Sequence, residues 1–142
     1  MATRTYDPKN VVLSFAGTPI QGFGPDTFIE AERDSDGYTD VAGTSGEVAR
    51  AKSNDHRGSI KLTLLATSPY VDKMSALALA DEQTGSGIAA VELKELNGTT
   101  LISGTDGWIK KFPGVKRAKE VATVEFEIRV GEMKVFVGGM LS

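Results

Sequence analysis

The sequence predicts a mainly β protein, a sandwich or barrel carrying one α-helix. Three observations carry that prediction. Sixteen glycines punctuate short apolar runs, the spacing of strands joined by turns. The clearest runs alternate apolar and polar residues, so each strand has one buried and one wet face. Only one stretch, about residues 70–82, has helical spacing instead.

Val11 to Phe15 reads as the first strand, followed by a turn at Gly17-Thr18-Pro19 with Pro19 in its second position. Ile20 to Phe23 and Thr27 to Glu32 read as strands, closed by the turn Asp34-Ser35-Asp36-Gly37. Tyr38 to Val41 and Val48 to Lys52 form the arms of a hairpin around Ala42-Gly43-Thr44-Ser45-Gly46. The small polar composition of that segment leaves open whether residues 38–52 are ordered in the monomer.

Ser59 to Leu65 points Ile60, Leu62 and Leu64 one way and Ser59, Lys61 and Thr63 the other. Ser68-Pro69 reads as an N-cap with proline at the first helical position. Tyr70, Met74, Leu77 and Ala78 share one helical face, and Gly85 and Gly87 stop the helix. Ile88 to Leu96 returns to strand. Asn97-Gly98 signals a two-residue hairpin turn, and the return strand Leu101 to Ser103 places Ile102 opposite Leu93. A further strand is expected from Trp108 to Phe112, ended by Pro113-Gly114. Val121 to Val130 is the clearest strand, with Val124, Phe126, Ile128 and Val130 inward. Lys134 to Val137 is a last short strand.

The chain has 142 residues and a net charge of −3, the size of a single domain able to bury a core. No stretch approaches the ~20 apolar residues of a membrane helix. The opening Met1-Ala2-Thr3-Arg4-Thr5-Tyr6-Asp7-Pro8 has no apolar h-region, so no secretory signal is expected. There is no cysteine and one histidine, His56. Disulfides, thiolate catalysis and cysteine-held zinc are excluded, and most metal sites and triads go with them. A tight nucleic-acid binder would be basic, and this chain is not.

The apparent motifs fail on context. Gly85-Ser86-Gly87-Ile88-Ala89-Ala90 has the letters of a dinucleotide loop, but it follows a helix and opens a strand, the reverse of what a phosphate site needs. Asp34, Asp36, Asp40 and Gly37 suggest a calcium loop, yet its remaining positions hold Tyr38, Thr39 and Ser45. His56 lies beside Asp55, Ser53 and Ser59, and no G-x-S-x-G elbow accompanies them. Asn97-Gly98-Thr99 is a formal glycosylation sequon, better explained as a turn. The sequence therefore predicts no catalytic residue, no metal and no cofactor.

Charge is laid out more informatively. Glu30 to Arg57 holds seven acids and four bases, whereas Lys110 to Lys119 holds five bases and no acid. Glu30 with Glu32 and Glu125 with Glu127 each place two carboxylates on one face of a strand, about 7 Å apart. Asp81 and Glu82 stand at the helix C-terminus, where the dipole disfavours acids. A surface acidic in one part and basic in another suits head-to-tail self-assembly.

The opening Tyr6-Asp7-Pro8-Lys9 and Val11-Val12-Leu13-Ser14-Phe15 resembles the start of the tail tube proteins of contractile-tailed bacteriophages. So do Gly17-Thr18-Pro19-Ile20-Gln21-Gly22-Phe23 and the run from Thr27-Phe28-Ile29-Glu30 through Arg33-Asp34 to Gly37. Gly46-Glu47-Val48, Arg50 and Lys52-Ser53-Asn54-Asp55 are the most specific part of the likeness. Thr67-Ser68-Pro69, Trp108-Ile109 and Phe136-Val137-Gly138-Gly139 extend it over the whole chain.

The resemblance implies one tail tube domain over residues 1–142, with the fold shared by R-type pyocin and type VI secretion tubes. It implies rings, hexamers in that family, that pair sheets laterally and stack into a tube inside a contractile sheath. Double-stranded DNA and the tape measure protein occupy the lumen at different stages, and baseplate and tail terminator proteins bound the tube. The protein would reside in the virion tail, and in the host bacterial cytoplasm before assembly. A long hairpin at about 33–52 would pack against the next ring through Arg33, Asp34, Asp36, Asp40, Glu47, Arg50 and Lys52. The expected lumen face carries Glu125 and Glu127, with Glu30 and Glu32 second, since an acidic wall repels phosphate. Asp81 and Glu82 would meet Lys110, Lys111, Lys116, Arg117 and Lys119 between subunits. Two other readings remain at this point: a type VI-like tube carrying small proteins, and a monomeric β-sandwich that binds a ligand or hydrolyses one.

Overall fold

The computed structural model describes residues 3–139. Its strands follow the alternation in the sequence: β1 Val11–Phe15, β2 Thr18–Ile20, β3 Ile29–Arg33, β4 Tyr38–Ala42, β5 Val48–Lys52, β6 Gly58–Leu65, β7 Ala89–Glu95, β8 Leu101–Ile109, β9 Thr123–Val130 and β10 Lys134–Phe136. One helix, α1, spans Tyr70–Thr84. Eight strands form one antiparallel sheet in the order β2-β1-β7-β8-β9-β6-β3, with β10 also on β8. Strands β4 and β5 pair only with each other.

The long sheet curls so that its two halves face one core. Leu13, Phe15, Val91, Leu93 and Ile102 from one half join Ile60, Leu62, Leu64, Val124, Phe126, Ile128 and Val130 from the other in a single buried cluster. Burying each such side chain contributes about 1.5–3 kcal/mol. Strand β8 belongs to both halves: Ile102 pairs with Leu93, and Ile109 pairs with Ile128. The open side is drawn together where Phe23 bridges Leu64, with Gly24 N–H on Thr63 C=O at 2.9 Å and Leu65 N–H on Gly22 C=O at 2.8 Å. Helix α1 covers part of the core with buried Met74 and Ala78, while Tyr70 and Leu77 pack alongside.

Where element boundaries depart from the sequence reading, local chemistry explains the shift. Strand β8 is continuous from Leu101 to Ile109, although Gly104 and Gly107 read as a break between two strands. Both glycines serve close approach: a Cβ at Gly104 would lie 2.3 Å from Val130 Cγ1. The first turn is Ala16-Gly17, both with positive φ (55° and 78°), so β1 and β2 form a two-residue hairpin. Pro19 lies in β2 rather than in the turn, and β2 is an edge strand where a missing N–H is tolerated.

Asn97-Gly98 is not a two-residue turn. Residues 96–100 link β7 and β8, and Gly98 N–H bonds Glu95 C=O at 3.3 Å. The expected pairing of Ile102 with Leu93 nevertheless holds. The helix begins at Tyr70, as its spacing predicts, with Pro69 as the N-cap rather than the first helical residue; the Ser68 hydroxyl still accepts the Tyr70 N–H at 3.3 Å and donates to Gln21 C=O at 2.9 Å. Gly85, in the left-handed region, closes the other end with its N–H on Asp81 C=O at 2.8 Å.

Candidate assembly surfaces

The hairpin of β4 and β5 is the most unusual feature of the chain. Every residue of both strands is exposed. Its register pairs Tyr38 with Lys52, Asp40 with Arg50, and Val41 with Ala49. Directly opposed residues share a face of a ribbon. One face therefore carries Tyr38, Asp40, Ala42, Val48, Arg50 and Lys52, and the other Thr39, Val41, Ala49 and Ala51. Arg50 stacks its guanidinium 4.3 Å from the Tyr38 ring centre. Gly46, with φ of 85°, shapes the tip, and Gly43 N–H bonds Glu47 C=O at 2.7 Å.

The root of the hairpin is fastened to the body by charged hydrogen bonds. Arg33 donates from Nε and Nη2 to Met133 C=O at 3.0 and 2.7 Å. Asp34 forms a forked ion pair with Arg129, one arm 2.9 Å long. The Arg129 hydrogen bonds hold the Asp34 carboxyl below the usual carboxylate range. Asp55 pairs with Arg57 through two contacts of 2.9 Å, which likewise pull the Asp55 carboxyl far down. Ser35 reaches Asp55 at 3.3 Å, and His56 Nδ1 lies 2.7 Å from Glu132 Oε1. The backbone adds Ser53 N–H on Gly37 C=O at 2.8 Å and Met133 N–H on His56 C=O at 2.9 Å.

Of the residues assigned to the hairpin from sequence, Arg33 and Asp34 thus have partners within the chain. Asp36, Asp40, Glu47, Arg50 and Lys52 are exposed beyond the root. Sequence reasoning missed Asp55, Arg57, Arg129 and Glu132. The Asp55-x-Arg57 spacing was a readable signal, but the Asp34–Arg129 pair spans 95 residues and had none.

The four glutamates assigned to the lumen lie together on one outer face. Register places Glu30 beside Lys61 and Lys61 beside Glu127, while Glu125 lies opposite Thr63 and Glu32 opposite Ser59. Lys110 Nζ comes to 3.6 Å from Glu127. Lysines therefore interrupt the carboxylates, which offsets the repulsion expected of acids in a row.

The basic stretch Lys110 to Lys119 leaves β8 as an irregular segment bordering this face. Lys111 and Lys116 line a cleft of about 380 Å³ with Lys61, Glu125 and Glu127. Lys110 and Lys111 line a second, of about 300 Å³, with Asp81 and Glu82. The structure thus brings the acidic helix end and the first lysines together within one chain. Asp81 also has a local role, since its Oδ1 accepts the Gly87 N–H at 3.2 Å. Arg117 Nη1 bonds the neighbouring Lys116 C=O at 2.9 Å, and Lys119 is exposed. Among the described residues, no three His, Cys, Asp or Glu side chains group in a way that holds a metal ion.

The chain as a whole superposes on solved structures. A chain of the anti-feeding prophage tube-terminating cap superposes with a TM-score of 0.67 at 8% identity, covering 96% of this chain and 93% of that one. A chain of the sheath/tube terminator of the extracellular contractile injection system PVC, in its extended state, gives 0.61 at 9% identity, covering 96% and 100%. A chain of the PVC sheath–tube complex gives 0.57 at 9%, covering 93% of each. The chain shares its fold with these cap, terminator and sheath–tube components. At these identities the likeness concerns the fold alone. No family model matches the sequence, and no curated protein does.

Proposed function

We propose that this chain is the structural subunit of an inner tail tube. Copies form rings, hexamers on the resemblance in sequence, and the rings stack inside a contractile sheath to conduct phage DNA through a lumen that holds the tape measure protein at another stage. The observation that carries this reading is the hairpin. It has no buried residue of its own, yet its root is tied to the body by the forked Asp34–Arg129 ion pair and by the clamp of Arg33 on the Met133 carbonyl. Such fixing orients a surface that only another molecule covers. The likeness to contractile-tail structures supports it at the level of fold.

On this reading the face bearing Glu30, Glu32, Glu125 and Glu127 lines the lumen. There the four carboxylates stand among Lys61, Lys110, Lys111 and Lys116, so passing phosphate meets no unopposed basic groove. Asp36, Asp40, Glu47, Arg50 and Lys52 meet the neighbouring ring, while Lys116, Arg117 and Lys119 meet an adjacent subunit. The role is structural, without catalysis.

A second reading is favoured by a specific observation: two of the similar structures are terminating caps. A terminator makes one ring and stops. Negative-stain electron microscopy over a concentration series separates the two. Hollow tubes that lengthen with concentration are expected. Single rings at every concentration would favour the terminator, and a persistent monomer would overturn both.

A further inference from the structure

Resting on the tube reading above, we propose that an apolar groove at the open side of the sandwich is the seat for the hairpin of a second copy of this chain. The groove has a volume of about 550 Å³, and Val11, Pro19, Ile20, Phe23, Pro25 and Phe28 form its walls. Phe23 and Phe28 pack against each other with ring centres 5.1 Å apart. Lys9 is the one charged side chain among the described residues that line it.

Charge selects the occupant and its orientation. The hairpin has one face with no charge, Thr39, Val41, Ala49 and Ala51, all exposed. A two-stranded ribbon is marginal in water by itself, so this face gains most from being covered. Laid on the groove, it strands no charge against apolar walls. Asp40, Arg50 and Lys52 stay on the other face of the ribbon for polar contacts of the neighbouring ring beyond the groove, whereas that face laid on the groove would bury them. The basic stretch from Lys110 is excluded on the same ground. At the tip, Glu47 has the sign that complements Lys9.

Position agrees with this choice. Strand β3 starts next to Phe28 in the groove and ends at Arg33 in the hairpin root. Strand β6 returns from Gly58 at the root to Leu64, which bridges Phe23. Hairpin and groove therefore lie at opposite ends of the same two strands, about 17 to 25 Å apart by strand rise. Two unlike surfaces at opposite ends make a heterologous contact, which repeats along an axis and leaves one hairpin free at one end of the stack and one groove free at the other.

The absence of cysteine from the sequence makes the test direct. Ala49→Cys places a thiol on the uncharged hairpin face and Gln21→Cys places one on the exposed groove rim. Oxidation of the assembled double variant is expected to give a ladder of covalent multimers on a non-reducing gel, and an equimolar mixture of the two single variants a dimer. The pair Ala49→Cys with Lys94→Cys, on an exposed outer strand position elsewhere, is expected to give neither. Stacked rings by microscopy without the 49–21 crosslink, or with equal crosslinking to the Lys94 control, would overturn the seat and leave the tube reading intact. Failure to stack together with absence of the crosslink would overturn both.

Discussion

The sandwich and the hairpin obey opposite rules. In the sandwich, apolar side chains from both halves of the sheet and from the helix meet in one core, and Leu13, Ile60, Leu62, Leu64, Ile128 and Met133 are completely buried. In the hairpin nothing is buried, and Val41 and Val48 stay 67% and 74% exposed. Yet the hairpin is in register over five residue pairs and joined to the body by the Asp34–Arg129 ion pair and the Arg33–Met133 clamp rather than by packing. The body takes its shape from its own core. The hairpin takes its direction from a polar root, and the area it offers is useful only to a partner. A protein meant to stay monomeric gains nothing from such a projection, which is an exposed and partly apolar edge.

The comparison breaks first in the core. Phe126→Ala removes a fully buried ring and is expected to cost about 3–5 kcal/mol, read by chemical denaturation. Val41→Ala in the hairpin should change monomer stability by less than ~0.5 kcal/mol, while weakening assembly. Equal effects at the two positions would mean that the hairpin is packed in the monomer. Next comes the junction between the two regions. Gly58 opens β6 at the root, and a Cβ there would lie 2.5 Å from Met133 Sδ and 2.8 Å from Glu32 O. Gly58→Ala is therefore expected to cost about 1–3 kcal/mol, and to disturb the Arg33–Met133 contact in the same step.

The root gives the pH dependence. Asp34 and Asp55 both have carboxyls lowered from 3.8, chiefly by hydrogen bonds from Arg129 and Arg57. A group lowered on folding stabilises fully above its unfolded value and loses that contribution as pH falls through the folded one. Amide protection in Asp34–Gly37 should thus hold at neutral pH and fall progressively once pH drops below about 5, through the unfolded value toward the folded one. Asp34→Asn keeps the shape and removes the charge. It should lower protection at the root already at neutral pH and leave the core strands unchanged.

Much of the body was legible because alternation is a local signal. Val124, Phe126, Ile128 and Val130 announce their buried face without any partner being known, and the hairpin arms were readable from the small residues between them. What escaped depended on residues distant in sequence. Gly104 and Gly107 read as breaks because nothing nearby reveals that Val130 and Ile128 press against them. Pro19 read as a turn residue because its edge position follows from sheet order. At the surfaces, Asp34 looked free for a partner until Arg129 appeared beside it, and the four glutamates looked uniformly acidic until register brought in Lys61. The groove was invisible as a unit, since Val11, Phe23 and Phe28 were each assigned to their own strand or turn.

The smallest expected effect separates contacts within a subunit from contacts between subunits. Lys110 lies 3.6 Å from Glu127 on a partly exposed surface, and its stretch also borders Asp81 and Glu82. An exposed ion pair contributes ~0–1 kcal/mol after screening and side-chain ordering. Lys110→Ala should therefore leave monomer melting almost unchanged, by less than about 0.5 kcal/mol. Lys119→Ala, for which no ion pair within the chain is seen among the described residues, should also leave it unchanged. Tube assembly followed by light scattering distinguishes them. If the basic stretch touches an adjacent subunit through its far end, Lys119→Ala raises the concentration needed for assembly, and more so at low salt, whereas Lys110→Ala barely does. The reverse order would move the intersubunit contact to the cleft beside Glu127, and the lumen assignment of that face would fall with it.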